Sequence, residues 1–288
     1  MKYKKLNHIG ILLLLLLSWS AVAQDASTVP PAKKSLRFFV YWGWNRAAYT
    51  NSDIRFHGNN YDFTLSKVVA HDRQTPLGLD PYLSPGDVTI PQTNCRIGYF
   101  ISDHWSISIG LDHMKYVMDQ DQTVTINGNI QNSGTPYDGV YNNSQIKMTE
   151  DFLKFEHTDG LNYINFELRR HDMLFNLKQI QLPNISFNLT EGFGAGVLLP
   201  KTNTTLLGFE RYDEFHLAGY GLGGFVGLNI TFFDHFFIQS ELKGGFINMP
   251  DIRTTQFSAD RAAQHFSFVQ SNILIGANFA INGTKSAK

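Results

Sequence analysis

With a single cysteine, Cys95, in 288 residues, the chain cannot form an internal disulfide. Secreted soluble domains often draw on paired cysteines, so a lone one is mildly unexpected there and unremarkable in other architectures. A basic excess is missing too. The chain has 24 Lys and Arg against 25 Asp and Glu, whereas a nucleic-acid partner calls for a basic face. Beyond the first two dozen residues no apolar run reaches the length of about 20 residues that a spanning helix requires, which excludes a helical membrane bundle.

The first residues carry what the remainder lacks. Lys2, Lys4 and Lys5 precede an apolar run from Ile9 to Leu17, and Ala21-Val22-Ala23 supplies a small-residue cleavage pattern before Gln24. Residues 1–23 are therefore expected to be a cleavable signal peptide, its apolar run too short for a permanent span. The residue directly after the cleavage site is Gln24 and not Cys, which argues against a lipoprotein. Without the three lysines the chain carries 21 bases against 25 acids.

Aromatic residues make up 14 % of the chain, with 23 Phe and 12 Tyr, and there are 24 Gly. Mean hydropathy is nevertheless slightly negative. Such a combination fits strands whose every second residue faces a polar lumen, and it equally fits a large soluble β-sandwich. Periodicity narrows the choice. Trp105, Ile107, Ile109 and Leu111 alternate with Ser106, Ser108, Gly110 and Asp112. Ile164, Phe166 and Leu168 alternate with Asn165, Glu167 and Arg169, and Ile238, Leu242 and Phe246 oppose Gln239, Glu241, Lys243 and Gly245. Two tight polar turns, Ile101-Ser102-Asp103-His104 and Asp234-His235, are flanked by aromatics. Aromatics at strand ends beside short turns form the girdle of a membrane interface; in water they would be an aggregation liability.

The expected architecture is all-β, a transmembrane antiparallel up-and-down barrel. About ten strands are expected, near 36–48, 52–58, 60–71, 92–101, 105–119, 161–171, 185–199, 215–231, 236–249 and 265–279. Leaving out the weakly patterned 52–71 hairpin gives eight, and counting a strand at Thr123–Ile126 gives twelve. Strand parity puts the turns near Asp103 and Asp234 and the 172–184 connection on the periplasmic side. The long polar segments 72–91, 120–160, 200–214 and 250–264 then lie outside, the usual asymmetry. Residues 24–34 read as a periplasmic lead-in, 35–279 as the barrel and 280–288 as a polar tail.

In this layout the chain resembles Gram-negative outer-membrane β-barrels, and Trp42-Gly43-Trp44-Asn45-Arg46 and Tyr61-Asp62-Phe63-Thr64-Leu65 look like stretches of uncharacterised Bacteroidetes-type barrels. The resemblance implies residence in the bacterial outer membrane, with membrane lipid, lipopolysaccharide and the barrel-assembly machinery as partners. It implies no activity and no cofactor, and it leaves the extracellular ligand unknown.

If the aliphatic faces meet lipid, Arg37, Asp62, Arg96, Asp112, Glu167, Arg169, Glu241 and Lys243 point inward. Mixed charges in a narrow barrel favour a salt-bridged plug over an open pore. Ten histidines raise a hydrolase alternative, with His71-Asp72 and Asp112-His113 near the outer rim. Adjacent strand residues face opposite ways, so each pair is divided, and a composite of His71 with Asp112 is the geometry left. No two-His spacing suits zinc, and no metal site is expected. Gly219-x-Gly221-x-x-Gly224 matches a dinucleotide fingerprint, but a strand-like run follows it where a helix is needed. Its glycines, like Gly192, Gly194 and Gly196, are expected to make room in the lumen or let the wall bend. The sequence thus leads to a non-enzymatic barrel, structural, adhesion-like or sensory, acting through its outer loops, of which 120–160 is the best candidate surface. A lipid- or peptide-cleaving barrel and a small-solute channel are the alternatives.

Overall fold

The computed structural model describes residues 37–76, 78–82, 91–177, 182–212 and 214–280. The expected signal peptide and lead-in, and all but the first residue of the polar tail, lie outside them. Among the described residues sixteen strands are formed, numbered in chain order. Eight make a closed antiparallel wall: β1 (Phe38–Tyr49), β5 (Thr93–Phe100), β6 (Trp105–Asp112), β11 (Tyr163–Leu177), β12 (Leu182–Leu198), β14 (Gly219–Phe232), β15 (Phe236–Arg253) and β16 (Arg261–Phe279). Neighbours pair in that order, and β1 closes the ring on β16 from Phe38↔Phe279 to Tyr49↔Phe268. The ring thus has the lower of the expected strand numbers.

Polarity across the wall is inverted relative to a soluble protein. Phe166, Phe193, Leu228, Leu242 and Ile273 are at least half exposed on the outside, while Arg169, Lys243, Gln270 and Asn272 are at most 1 % exposed inside. A closed ring leaves no unpaired edge for the hydrocarbon to desolvate, and apolar side chains facing out satisfy the lipid. The chain is a transmembrane β-barrel, and an even ring of this kind is that of a bacterial outer-membrane protein. Its short-turn end carries an apolar floor in the lumen, where Phe39, Tyr41, Phe237 and Leu274 pack together. Gly98 and Gly276 leave open the space that the Phe39 and Phe237 rings fill.

The hairpin expected at 52–71 exists but belongs to a second structure. β2 (Ser52–His57) continues β1 along the same partner, with Ile54↔Gln264 and Phe56↔Ala262 on β16. From β2 the sheet runs outward through β3 (Tyr61–Val68), β8 (Thr123–Ile130) and β9 (Gly139–Lys147). Beneath it lies a second sheet in the order β13 (Asn203–Leu206), β10 (Leu153–His157), β7 (Tyr116–Met118) and β4 (Ala70–His71). The two layers enclose an ordinary hydrophobic core, with Phe56 edge-on to Phe155 at 5.4 Å and Phe63 beside Phe152 at 5.8 Å. Tyr116 stacks on Phe266 of β16 at 5.0 Å, seating this cap on the barrel. Of the long segments expected outside, 120–160 and 200–214 supply strands of this two-layer cap and 250–264 includes the ends of β15 and β16, while residues 77 and 83–90 lie outside the described residues.

Candidate functional site

The lumen is crossed at mid-height by six charged side chains, three cations and three carboxylates, each at most 4 % exposed. Glu167 on β11 sits at the centre. Its Oε1 lies 2.9 Å from Arg96 Nη2 and 3.0 Å from Lys243 Nζ, and its Oε2 accepts from Arg169 Nη2 at 3.0 Å. Arg169 also donates to Glu241 at 2.6 Å, and Lys243 is ion-paired with Asp112. Neutral groups satisfy much of what remains. Asn165 accepts from Arg96 at 2.8 Å and donates to Asp112 at 3.2 Å, while Gln239 and Asn272 both donate to Glu241. Arg96 donates to the Tyr41 hydroxyl at 2.8 Å, and the Arg169 guanidinium lies 4.0 Å over the Phe225 ring. Burial of six ions is costly unless each is paired and hydrogen-bonded; here the charges balance across a brace that ties opposite walls together.

The sequence supports this brace locally. Asn165, Glu167 and Arg169 pair with Gly196, Gly194 and Gly192 on β12, so three large polar chains face three positions without side chains. A Cβ at Gly194 would lie 2.8 Å from Glu167 Cγ.

Of the eight residues expected inside, Arg96, Asp112, Glu167, Arg169, Glu241 and Lys243 meet in this brace. Two do not. Arg37 precedes β1 at the short-turn end and is exposed, its carbonyl accepting from Phe100 N. Asp62 lies on β3 in the cap, half exposed and ion-paired with Arg55 at 2.7 Å. In the cap the core is apolar, so the same alternation that turns polar residues inward in the wall turns Asp62 out to water. Asn165 and Gln239, on the polar faces of their strands, join the network, and so do Tyr41 and Asn272, which the charged set does not include; each stands at an inward parity position, the one signal that marks it.

The histidine composite is not formed. His71 pairs with Asp119 in the cap, whereas Asp112 belongs to the brace. Asp72 accepts from Ala47 N at 2.8 Å, and His113 Nδ1 lies 2.9 Å from Asn162 Oδ1. A different Ser–His contact exists at the floor, Ser106 Oγ to His171 Nε2 at 2.8 Å, but Ser106 is fully buried and offers no substrate an approach. Among the described residues no group of three His, Cys, Asp or Glu is arranged to hold a metal. The Gly219–Gly224 run lies within β14, a continuous strand.

Above the brace further polar side chains meet. Asn45 donates to Asn94 at 2.5 Å, and Gln92 donates back to Asn45 at 3.1 Å. Higher still, Gln264 donates to both Ser52 and Tyr116, and His157 meets Thr202 at 2.9 Å. His157 is enclosed by the cap, and burial pushes its imidazole down to about 3. Arg73 reaches the buried Glu156 carboxylate at 2.8 Å, and Asn203 donates to the same group at 2.8 Å.

No protein-family model matches the chain, and no curated protein matches it. Solved structures with a similar course include the outer membrane protein OprG from Pseudomonas aeruginosa, at 9% identity over 86% of this chain and 98% of that one, TM-score 0.38. Ail, the attachment invasion locus protein of Yersinia pestis, shows 9% identity over 83% and 99%, TM-score 0.26. The outer membrane protease OmpT from Escherichia coli shows 9% over 88% and 100%, TM-score 0.25. None of their activities passes to this chain at such similarity; its own inverted wall makes it an outer-membrane barrel.

Proposed function

We propose that this protein is a non-enzymatic surface barrel, of adhesion-like or sensory type, that presents a rigid cap to the exterior. The observation that carries this reading is the contrast between lumen and cap. The lumen is crossed by the apolar floor cluster, by the ionic brace and by the Asn45, Gln92 and Asn94 side chains above it, as befits a ring of about eight strands. The cap has a core of its own and lifts a complete sheet away from the membrane. Loops that merely connected strands would not bury Ile54, Phe63, Ile126, Phe152 and Leu206 at most 1 % exposed. Assembly by the barrel-assembly machinery and an outer leaflet of lipopolysaccharide around the wall follow from the same reading.

Adhesion of cells displaying the full chain, compared with cells displaying a chain in which 119–148 is replaced by a short turn, tests the proposal. Heat-modifiable mobility on gels would verify that both barrels are inserted. Cap-dependent attachment or ligand binding is expected, with no steady current when the protein is placed in planar bilayers. Equal attachment with and without the cap hairpin, or a reproducible conductance, would overturn it.

A further inference from the structure

Lysine is the odd member of the brace. Arginine is the usual choice for a buried ion pair, because its planar fork meets a carboxylate with two donors, and Arg96 and Arg169 serve in that way. Lys243 is the one lysine among the buried residues described. Its Nζ is ion-paired with Asp112 and lies 3.0 Å from Glu167 Oε1, and all three side chains are at most 2 % exposed. Each comes from a different strand, laddered on both sides. Lys243 stands opposite Phe225 and Gln270, and Asp112 opposite Asn94 and Tyr163. The wall thus holds an amine, a carboxyl carbon and a second carboxylate together with water shut out. Groups fixed in this way react as if present at very high concentration.

We propose that Lys243 and Asp112 condense after folding into an amide that ties β15 to β6 across the lumen. The inference does not depend on what the cap contacts. The Nζ–Cγ bond forms and one Cγ–O bond breaks; that oxygen leaves as water with two of the three ammonium protons. Glu167 is the base within reach. It takes a proton from Nζ, which frees the lone pair for attack, and relays it to the departing oxygen. The second proton follows as the tetrahedral intermediate collapses, and Glu167 ends as the carboxylate it began as. Charge developing on the Asp112 oxygens has donors in place, with Arg96 Nη2 3.6 Å from Oδ1 and Asn165 Nδ2 3.2 Å from Oδ2.

The product favours the step. An ammonium and a carboxylate disappear together, and with them the cost of keeping an ion pair out of water. What remains is still balanced: Arg96 keeps Glu167 at 2.9 Å, and Arg169 keeps Glu167 at 3.0 Å and Glu241 at 2.6 Å. Elsewhere the same pairing lacks the enclosure. Lys147 with Asp121 and Lys201 with Asp159 lie open to water, so these pairs should stay unlinked.

Intact mass of the mature chain from outer membranes, set against the same chain held unfolded in urea, tests the assignment. The folded chain should be lighter by one water, and the urea-held chain should lose that water once folded into lipid bilayers. A trypsin digest of the folded chain should contain one branched peptide joining 97–115 to 212–253, uncut after Lys243. This peptide separates the cross-link from water lost by backbone cyclisation at an Asp-Gly step such as Asp138-Gly139. Glu167→Gln should slow the condensation by at least about a hundredfold. Lys243→Arg keeps the charge and should stay at full mass, with heat-modifiable mobility reporting that each variant has folded. Equal masses for the folded and urea-held chains would rule out the cross-link, as would separate peptides 97–115 and 212–243. Condensation at an unchanged rate in folded Glu167→Gln would rule out the relay. Where a variant fails to insert, the digest of the unmodified chain still decides.

Discussion

Lys243 on β15 is ion-paired with Asp112 on β6, the strand diametrically opposite in the ring of eight. The contact spans the lumen, and Glu167 shares the same ammonium at 3.0 Å. Substituting Lys243→Met should therefore leave two buried carboxylates short of a partner and cost about 3–5 kcal/mol. Because the penalty comes from the orphaned charge, the double variant Lys243→Met, Asp112→Leu should recover a good part of it. Urea midpoints of unfolding from lipid bilayers would measure both, and a double variant no better than the single one would count against a balanced brace.

Space beside the brace is equally constrained. Gly194→Val places methyl groups against Glu167 and should destabilise by about 1–3 kcal/mol through overpacking. Ala195→Val, on the outward face one residue later, should be close to neutral in the same unfolding measurement. Equal effects would mean that the lumen has more room at this level than the structure gives it.

How far these features were legible in the sequence depends on which solvent a strand meets. Alternation marks the wall strands because the lipid face demands aliphatics on every second residue, and the brace residues of β6, β11 and β15 follow from that parity. Asp62 shows the limit. Tyr61, Phe63 and Leu65 alternate with Asp62 and Thr64 just as wall residues do, yet the apolar set faces a dry core and the polar set faces water. A local pattern with period two reports two unlike faces without saying which side is wet. The cap was hidden for the same reason: its strands are short, and their pairing with β16 joins residues some two hundred positions apart. Gly192, Gly194 and Gly196 were easier to read, since three alternate glycines in a strand imply a neighbour that needs the volume.

His157 makes the cap sensitive to acid. Its imidazole is held near 3 by burial, against an ordinary value of 6.5. Above pH 6.5 the group is neutral in both folded and unfolded chains and contributes no dependence. Between about 6.5 and 3 the unfolded chain takes up the proton and the folded cap does not, so stability falls as pH falls, by about 1.4 kcal/mol per pH unit. Exchange of cap amides at pH 7 and pH 5 should show this slope, and His157→Gln should flatten it. A slope unchanged by that substitution would assign the acid sensitivity elsewhere.

Arg73 offers a way to weaken the cap without touching the barrel. Glu156 is almost fully buried and would keep Asn203 and Thr158 as donors after Arg73→Ala. A penalty of about 1–3 kcal/mol is expected, the desolvation cost of a buried acceptor that loses a partner. Limited proteolysis should then cut within 116–157 faster while the membrane-embedded fragment keeps its resistance. Uniform loss of resistance would show that cap and wall unfold as one unit.

β16 is 19 residues long, about 60 Å, and it pairs first with β2 in the cap and then with β1 in the wall. Any traction on the cap is thus delivered along the strand axis into the membrane, loading a whole ladder of hydrogen bonds at once instead of peeling them apart singly. Cap and membrane wall are coupled through one unbroken strand, so a load placed on either is borne by both.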